Sequence, residues 1–185
     1  MLTHKMRPHF LFNTLNSIKA TMIESPEAAS KVITELGSLY RKILQGGESV
    51  CWGGDEEMAL VKDCLQLQKL RFEHRLTYSL KFDDSKGEYS CPCFSIQTLV
   101  ENSIKHSIAK SLRGGSILIQ GYKDNEEYCI MISDEVEDEN SASIEYTGHG
   151  LENLEARLNL SNARRPNLNF ETHKYGTKVR FWLSP

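Results

Sequence analysis

Leu99-Val100-Glu101-Asn102-Ser103-Ile104-Lys105-His106 decides how the second half of this chain folds. Apolar Leu99, Val100 and Ile104 recur at helical spacing and are expected to look inward. Glu101 and Lys105 stand four residues apart, as do Asn102 and His106, so a carboxylate, an amide, an ammonium and an imidazole share the other face of one helix. That set suits a metal–polyphosphate site. An amide oxygen can ligate magnesium, which takes few protein ligands and fills its shell with phosphate oxygens. A lysine neutralises phosphate charge. A solvated helix face would carry the same residue types, so the stretch is read together with the rest of the chain.

Upstream, Met6-Arg7-Pro8-His9-Phe10-Leu11-Phe12-Asn13 enters a helix whose apolar residues recur at Leu11, Leu15, Ile18 and Met22, a narrow coiled-coil-like seam. At about 100° per residue, His9 falls roughly 200° from Leu11, on a polar stripe with Asn13 and Asn16. Pro8 fixes φ and removes a donor, so the helix starts or bends there. A lone histidine is most often an ordinary surface residue. Here Phe10 and Phe12 crowd it, and Phe12 lies off the seam.

The first helix is predicted over 2–23. Ser25 and Pro26 fit the cap and first position of a second helix carrying Ala29, Val32, Ile33, Leu36, Leu39, Tyr40 and Ile43, which Gly46-Gly47 ends. Two amphipathic helices with a short turn make an antiparallel hairpin. Alone it buries too little surface, so pairing with a second copy as a four-helix bundle is expected. Residues 1–47 are read as this dimerisation hairpin and 48–185 as a second domain, with 48–74 its linker and first helix.

Asp55 is predicted to cap a helix running to about Phe72, with Met58, Val61, Leu65 and Leu67/Leu70 as its apolar set. The period then changes. Leu76, Tyr78, Leu80 and Phe82 alternate with polar residues, the mark of a strand. A turn follows at 83–88, then a helix from Phe94 to Ile108. Ile117 and Ile119, then Tyr128, Ile130 and Ile132, read as two strands joined at Asp124-Asn125. Residues 135–147 read as irregular. A helix is expected from Leu151 to Leu160, and a closing hairpin around Tyr175-Gly176. The fold class is α+β: a helical hairpin, then a sandwich of helices on one face of a mixed, mainly antiparallel sheet.

With 22 basic and 25 acidic residues, a formal charge of -3 argues against a nucleic-acid binder that relies on a basic surface. The five cysteines are odd in number, and Cys91-Pro92-Cys93 is too close for the usual zinc or redox spacing, so all are read as reduced thiols. No stretch approaches 18 continuous apolar residues. The chain begins abruptly inside a helix, so an upstream extension is expected.

Three further features bear on chemistry. Asp134, at a strand end, could accept a hydrogen bond from an adenine amino group or could be a turn aspartate. Gly148-His149-Gly150-Leu151 opens a helix, and such a turn lets backbone amides approach phosphate. Gly176-Thr177 could be a plain hairpin turn or could bring a hydroxyl to a nucleotide.

The order of these elements resembles the LytS-type sensor histidine kinases, whose ATP-binding domain shares its fold with gyrase-type and chaperone ATPases. Pro8-His9-Phe10-Leu11-Phe12-Asn13 looks like that family's phosphoacceptor motif, and Leu67-Gln68-Lys69-Leu70-Arg71-Phe72 is similar to the end of its linker helix. Gln97 to His106 resembles its asparagine box. Gly148 to Leu151 with Asn153, Arg157 and Leu158 resembles its second glycine box, and Gly176-Thr177-Lys178-Val179 its closing motif.

The resemblance implies ATP and Mg2+ as cofactors, with Asn102 on the metal and Lys105 and His106 near the phosphates. Gly148, Gly150 and Leu151 would belong to the lid, Asp134 would hold adenine, and Thr177 would stand at the nucleotide. His9 would be the phosphoacceptor, with Glu101 as candidate base. A homodimer, a response regulator receiver domain as partner, and a position on the cytoplasmic side of a membrane that only an upstream segment would enter are also implied. In place of the family's Asp-Asn-Gly-x-Gly, the run here is Asp134-Glu135-Val136-Glu137-Asp138. Its missing glycines and extra carboxylates oppose close approach of a nucleotide. The alternative is therefore a degenerate pseudokinase acting as a dimeric signalling scaffold.

Overall fold

The computed structural model describes residues 15, 18, 19, 22, 23, 25–45, 51–84, 88–138, 149–160 and 168–183. In chain order the elements are α1 (Pro26–Gln45), β1 (Cys51–Gly53), α2 (Gly54–Phe72), β2 (Leu76–Phe82), β3 (Ser90–Pro92) and α3 (Ser95–Ser103). A π-helical turn (Ile104–Ile108) follows, then β4 (Gly115–Asp124), β5 (Glu127–Val136), α4 (His149–Leu160), β6 (Asn169–His173) and β7 (Gly176–Leu183). Residues 15, 18, 19, 22 and 23 are helical as well.

Five strands form one sheet in the order β2-β4-β5-β7-β6, with β2 parallel to β4 and every other pair antiparallel. Period-2 alternation explains its two faces. Ile117 and Ile119 of β4 and Val179, Phe181 and Leu183 of β7 turn to one side. There they meet Val61 and Leu65 of α2, Leu99 and Val100 of α3, and Leu154 and Leu158 of α4 in a single apolar cluster. This is the α+β sandwich that the change of period predicts.

A second cluster joins the two predicted domains. Ile18, Ala29, Val32 and Leu36 pack with Trp52, Leu60, Cys64, Leu67 and Cys93, and the Trp52 and Phe94 rings lie 4.7 Å apart between centroids. The division at 47/48 therefore falls beside a core that both sides share.

Four local expectations change. The seam Leu15–Ile18–Met22 is split. Ile18 is 6% exposed inside the cluster, while Leu15 and Met22 are 47% and 58% exposed, because α1 and α2 cover only one side of that helix. Asp55 does not cap α2. Gly53 does, its N–H donating to Glu56 Oε2 at 3.0 Å, and Asp55 sits in the acidic first turn. The connections on either side of α2 contain a two-stranded antiparallel sheet, β1 with β3, whose three-residue strands carry no readable period. Finally, 135–136 are not irregular. β5 runs through them, Val136 is buried at 4% exposure, and its N–H donates to Tyr175 O at 2.7 Å.

Candidate functional site

The helix carrying Asn102 does not run as one piece to Ile108. It is α-helical to Ser103 and widens into a π turn over Ile104–Ile108, a distortion frequent at functional sites. One serine just before the widening and one within it stand by a single carboxylate. Ser107 Oγ donates to Asp134 Oδ1 at 2.6 Å, and the nearby Ser103 hydroxyl also favours the charged carboxylate.

Asp134 sits opposite Thr177 across β5 and β7, and the Thr177 backbone N–H donates to Asp134 Oδ1 at 3.2 Å. Oδ1 is thus well supplied. Oδ2 is buried and accepts nothing, and the buried Thr177 Oγ1 beside it is equally without a partner. Such orphans carry a desolvation cost that a ligand's polar groups can relieve. Burial pushes the Asp134 carboxyl above its ordinary value, against the opposing pull of Ser107, Ser103, the Thr177 N–H and the charge of His173. A carboxylate oxygen and a hydroxyl on adjacent strands suit an amino group flanked by a ring nitrogen, so the pair fits an adenine edge.

Gly176 is required where it stands. A Cβ there would lie 1.9 Å from Asp134 O. The strands approach too closely for any side chain at the rung next to Asp134 and Thr177.

Asn102 is 5% exposed, so it belongs to the interior rather than to a solvated face. Lys105 is exposed, His106 half-buried, and half-buried Glu101 accepts from Gln97 Nε2 at 2.9 Å. Gly150 lies half-buried in the first turn of α4, which begins at His149, two residues earlier than expected. Leu151 is 8% exposed and sits in the main apolar cluster. His9 and Gly148, the phosphoacceptor and a lid residue of the sequence reading, lie outside the described residues. Among the described residues no three His, Cys, Asp or Glu side chains gather as a metal cluster. A magnesium ion here would rely on Asn102 and on phosphate oxygens, the usual pattern for that ion.

The extra acidic residues do not surround Asp134. β5 is buried throughout to Asp134; at its end burial alternates, with Asp134 and Val136 buried and Glu135 and Glu137 exposed. Both glutamates therefore point to the face of the sheet turned away from α2, α3 and α4. Asp138 folds onto the loop before β4, accepting from Ser111 Oγ at 2.8 Å and from Arg113 N at 3.2 Å.

Sequence reasoning missed Ser103 and Ser107, although two hydroxyls four residues apart on the asparagine helix were a usable signal. It also missed Glu57, a 0%-exposed carboxylate of α2 that accepts from the backbone N–H groups of Phe94 and Ile96. Nothing local in the sequence links positions 37 and 39 residues apart.

Among the described residues no helix is long and apolar enough to cross a membrane. The histidine kinase family model matches residues 1–76. The chain is 32% identical to the sensor protein LytS of Streptococcus agalactiae, over 96% of this chain and 32% of that protein. It is 30% identical to the sensor histidine kinase/phosphatase LytS of Staphylococcus aureus, over 98% of this chain and 33% of that protein. The chain thus spans about a third of the length of these curated relatives. The histidine kinase domain of the blue-light activated histidine kinase EL346 from Erythrobacter litoralis superposes with a TM-score of 0.53 at 13% identity, covering 98% of this chain and 90% of that one. Acinetobacter baumannii histidine kinase AdeS gives 0.53 at 15% identity, over 89% and 82%. In sequence along nearly its whole length, and in fold, the chain belongs to the histidine kinase family.

Proposed function

We propose that this chain is the cytoplasmic core of a dimeric sensor histidine kinase that phosphorylates His9 with ATP and passes the phosphoryl group to an aspartate of a response regulator. A membrane anchor would belong to an upstream segment. The observation that carries the reading is the pair of partnerless buried atoms, Asp134 Oδ2 and Thr177 Oγ1, one rung from Gly176 and joined through Ser107 to the helical segment of Asn102.

In the step proposed, a ring nitrogen of His9 attacks the γ-phosphorus of ATP. An N–P bond forms, the bond to the bridging oxygen of ADP breaks, and the ring proton passes to Glu101. An imidazole of ordinary basicity is mostly neutral near pH 7, as a nucleophile must be. The protein's part is positioning and charge neutralisation. Asp134 and Thr177 would orient the base, Asn102 would hold Mg2+, which would supply charge neutralisation to the phosphates, and Lys105 and His106 would stand near them. Gly148, Gly150 and Leu151 would contribute to the lid.

One observation favours the second reading, a nucleotide-free dimeric scaffold. β5 continues as strand through Val136, where the family carries a glycine turn. Against it, Glu135 and Glu137 face away from Asp134. Incubation with γ-labelled ATP and magnesium separates the two, wild type beside His9→Ala. The kinase gives acid-labile label on the wild type alone. Neither label nor nucleotide binding supports the scaffold, and free phosphate without labelled protein would make it an ATPase.

A further inference from the structure

The face of the sheet turned away from α2, α3 and α4 carries a cleft of about 510 Å3 across its strand ends. Its floor is one rung row. Thr77 pairs with Ser116, Ser116 with Glu135, Glu135 with Gly176, and Gly176 with His173. Residues directly opposite on neighbouring strands share a face, so these side chains project together, away from Asp134 and Thr177. Arg75 and Arg113 flank the row on one side and Glu137 closes the far end of β5. None of Asn102, Asp134 and Thr177 lines the cleft.

The charges have a pattern. Two permanent cations, Arg75 and Arg113, and two carboxylates, Glu135 and Glu137, line the cleft together. A pure anion or a pure cation would meet repulsion from one of these pairs, whereas a ligand carrying both signs meets each in turn. The existing pairing is weak enough to exchange. Arg113 lies 4.0 Å from Glu137 and 3.9 Å from Asp138, with its side chain 72% exposed, a geometry worth little in water. Arg75 is anchored by donating to Ser111 O at 2.5 Å, while its Nε is buried and makes no hydrogen bond. On the arginine side of Glu135 lie the hydroxyls of Thr77 and Ser116, and beyond it the bare Gly176, a floor offering donors and acceptors to an amide. The exposed Tyr175 ring stands at the rim, where an apolar side chain could rest.

We infer that this cleft is a binding site for a small zwitterion of amino-acid to dipeptide size. The ligand's carboxylate is read by Arg113 and Arg75, and its ammonium by Glu135 and Glu137. The inference does not depend on the nucleotide reading, because the two sites lie on opposite faces of the sheet.

The 185-residue chain is titrated with the free dipeptide alanyl-tyrosine, with its N-acetylated form, with its C-terminal amide, and with acetate. Isothermal calorimetry and backbone amide NMR shifts are followed in each titration. Saturable binding by the free dipeptide is expected, with shifts centred on Ser116 and Glu135. Blocking either end should weaken it about tenfold or more, the usual scale for a lost charged hydrogen bond. Glu135→Gln should weaken the free dipeptide by a similar factor while leaving the weak N-acetylated form unchanged. Glu135, the residue changed, is exposed, so folding is not at stake. Equal binding of blocked and free forms, shifts centred on Asp134 instead, or no binding by about 10 mM would each overturn the inference.

Discussion

Glu57 of α2 accepts a hydrogen bond from the Ile96 backbone N–H at the start of α3, at 3.1 Å, and so caps a helix to which it does not belong. Its other oxygen accepts from the Phe94 N–H. Arg157 of α4 completes the joint, donating from Nη1 to Cys93 O at 2.5 Å and placing its charge near Glu57. The helix that delivers Asn102 is thus held at its N-terminus by two other helices. Burial nevertheless dominates, raising the Glu57 carboxyl from the ordinary 4.5 to about 7 against those favourable partners.

A pH dependence follows from that shift. A carboxyl whose folded pKa is raised binds its proton more tightly when folded, so its contribution is complete below about 4.5 and is lost as pH rises through about 7. Two and a half units correspond to roughly 3 kcal/mol. Urea midpoints of the wild type should fall between pH 5 and 8 by more than those of Glu57→Gln. Parallel profiles would show that Glu57 is not the group responsible.

Asp134 and Thr177 are the next targets. Asp134→Asn keeps the shape but replaces the ligand-facing acceptor, and should weaken binding of a fluorescent adenine nucleotide by about 10- to 100-fold. Thr177→Val removes one hydroxyl and should cost less, about tenfold or below. Melting temperatures measured alongside establish that both variants fold. Unchanged affinity in Asp134→Asn would place the nucleotide elsewhere.

Glu101 is expected to act on the chemical step. Held by Gln97 at 2.9 Å, it can serve as base without touching the purine. Glu101→Gln should slow phosphorylation of His9 by about a hundredfold or more, the usual range for a general base, with nucleotide affinity nearly intact. Rapid-quench single-turnover kinetics separate the two effects.

The helical hairpin offers a contrast between neighbours. Ile18 lies in the shared cluster, so Ile18→Ala should cost about 2–5 kcal/mol of stability. Met22 and Ile33, 58% and 51% exposed, contribute little within one chain. Met22→Glu with Ile33→Glu should leave the melting temperature of the monomer in place yet shift sedimentation from dimer towards monomer, if these residues meet a second copy.

The sequence was legible where one residue's neighbours in sequence are also its neighbours in function. Alternation from Leu76 to Phe82 gives β2 to the residue. Asp134 and Thr177, read from separate motifs, lie directly opposite each other. The rest depended on contacts at long separation or on strands too short to show a period. β1 and β3 have three residues each. Glu57 looks like an ordinary polar residue of a helix until Phe94 and Ile96 arrive from elsewhere. The run after Asp134 reads as solvated because three of its four residues are acidic, yet pairing of Glu135 and Val136 with β4, and the Val136 N–H donated to Tyr175 O, keep the strand going.

The shared cluster makes Trp52 an internal gauge of hinge motion. Its indole is 6% exposed because the hairpin and α2 close over it. Any swing that carries the hairpin away must wet this ring and move its emission to the red. The other tryptophan, Trp182, is tied by its Nε1 to Asp124 at the far end of the sheet and supplies a steady reference. Opening between the two halves can thus be timed in solution by the native fluorophores, with no label attached.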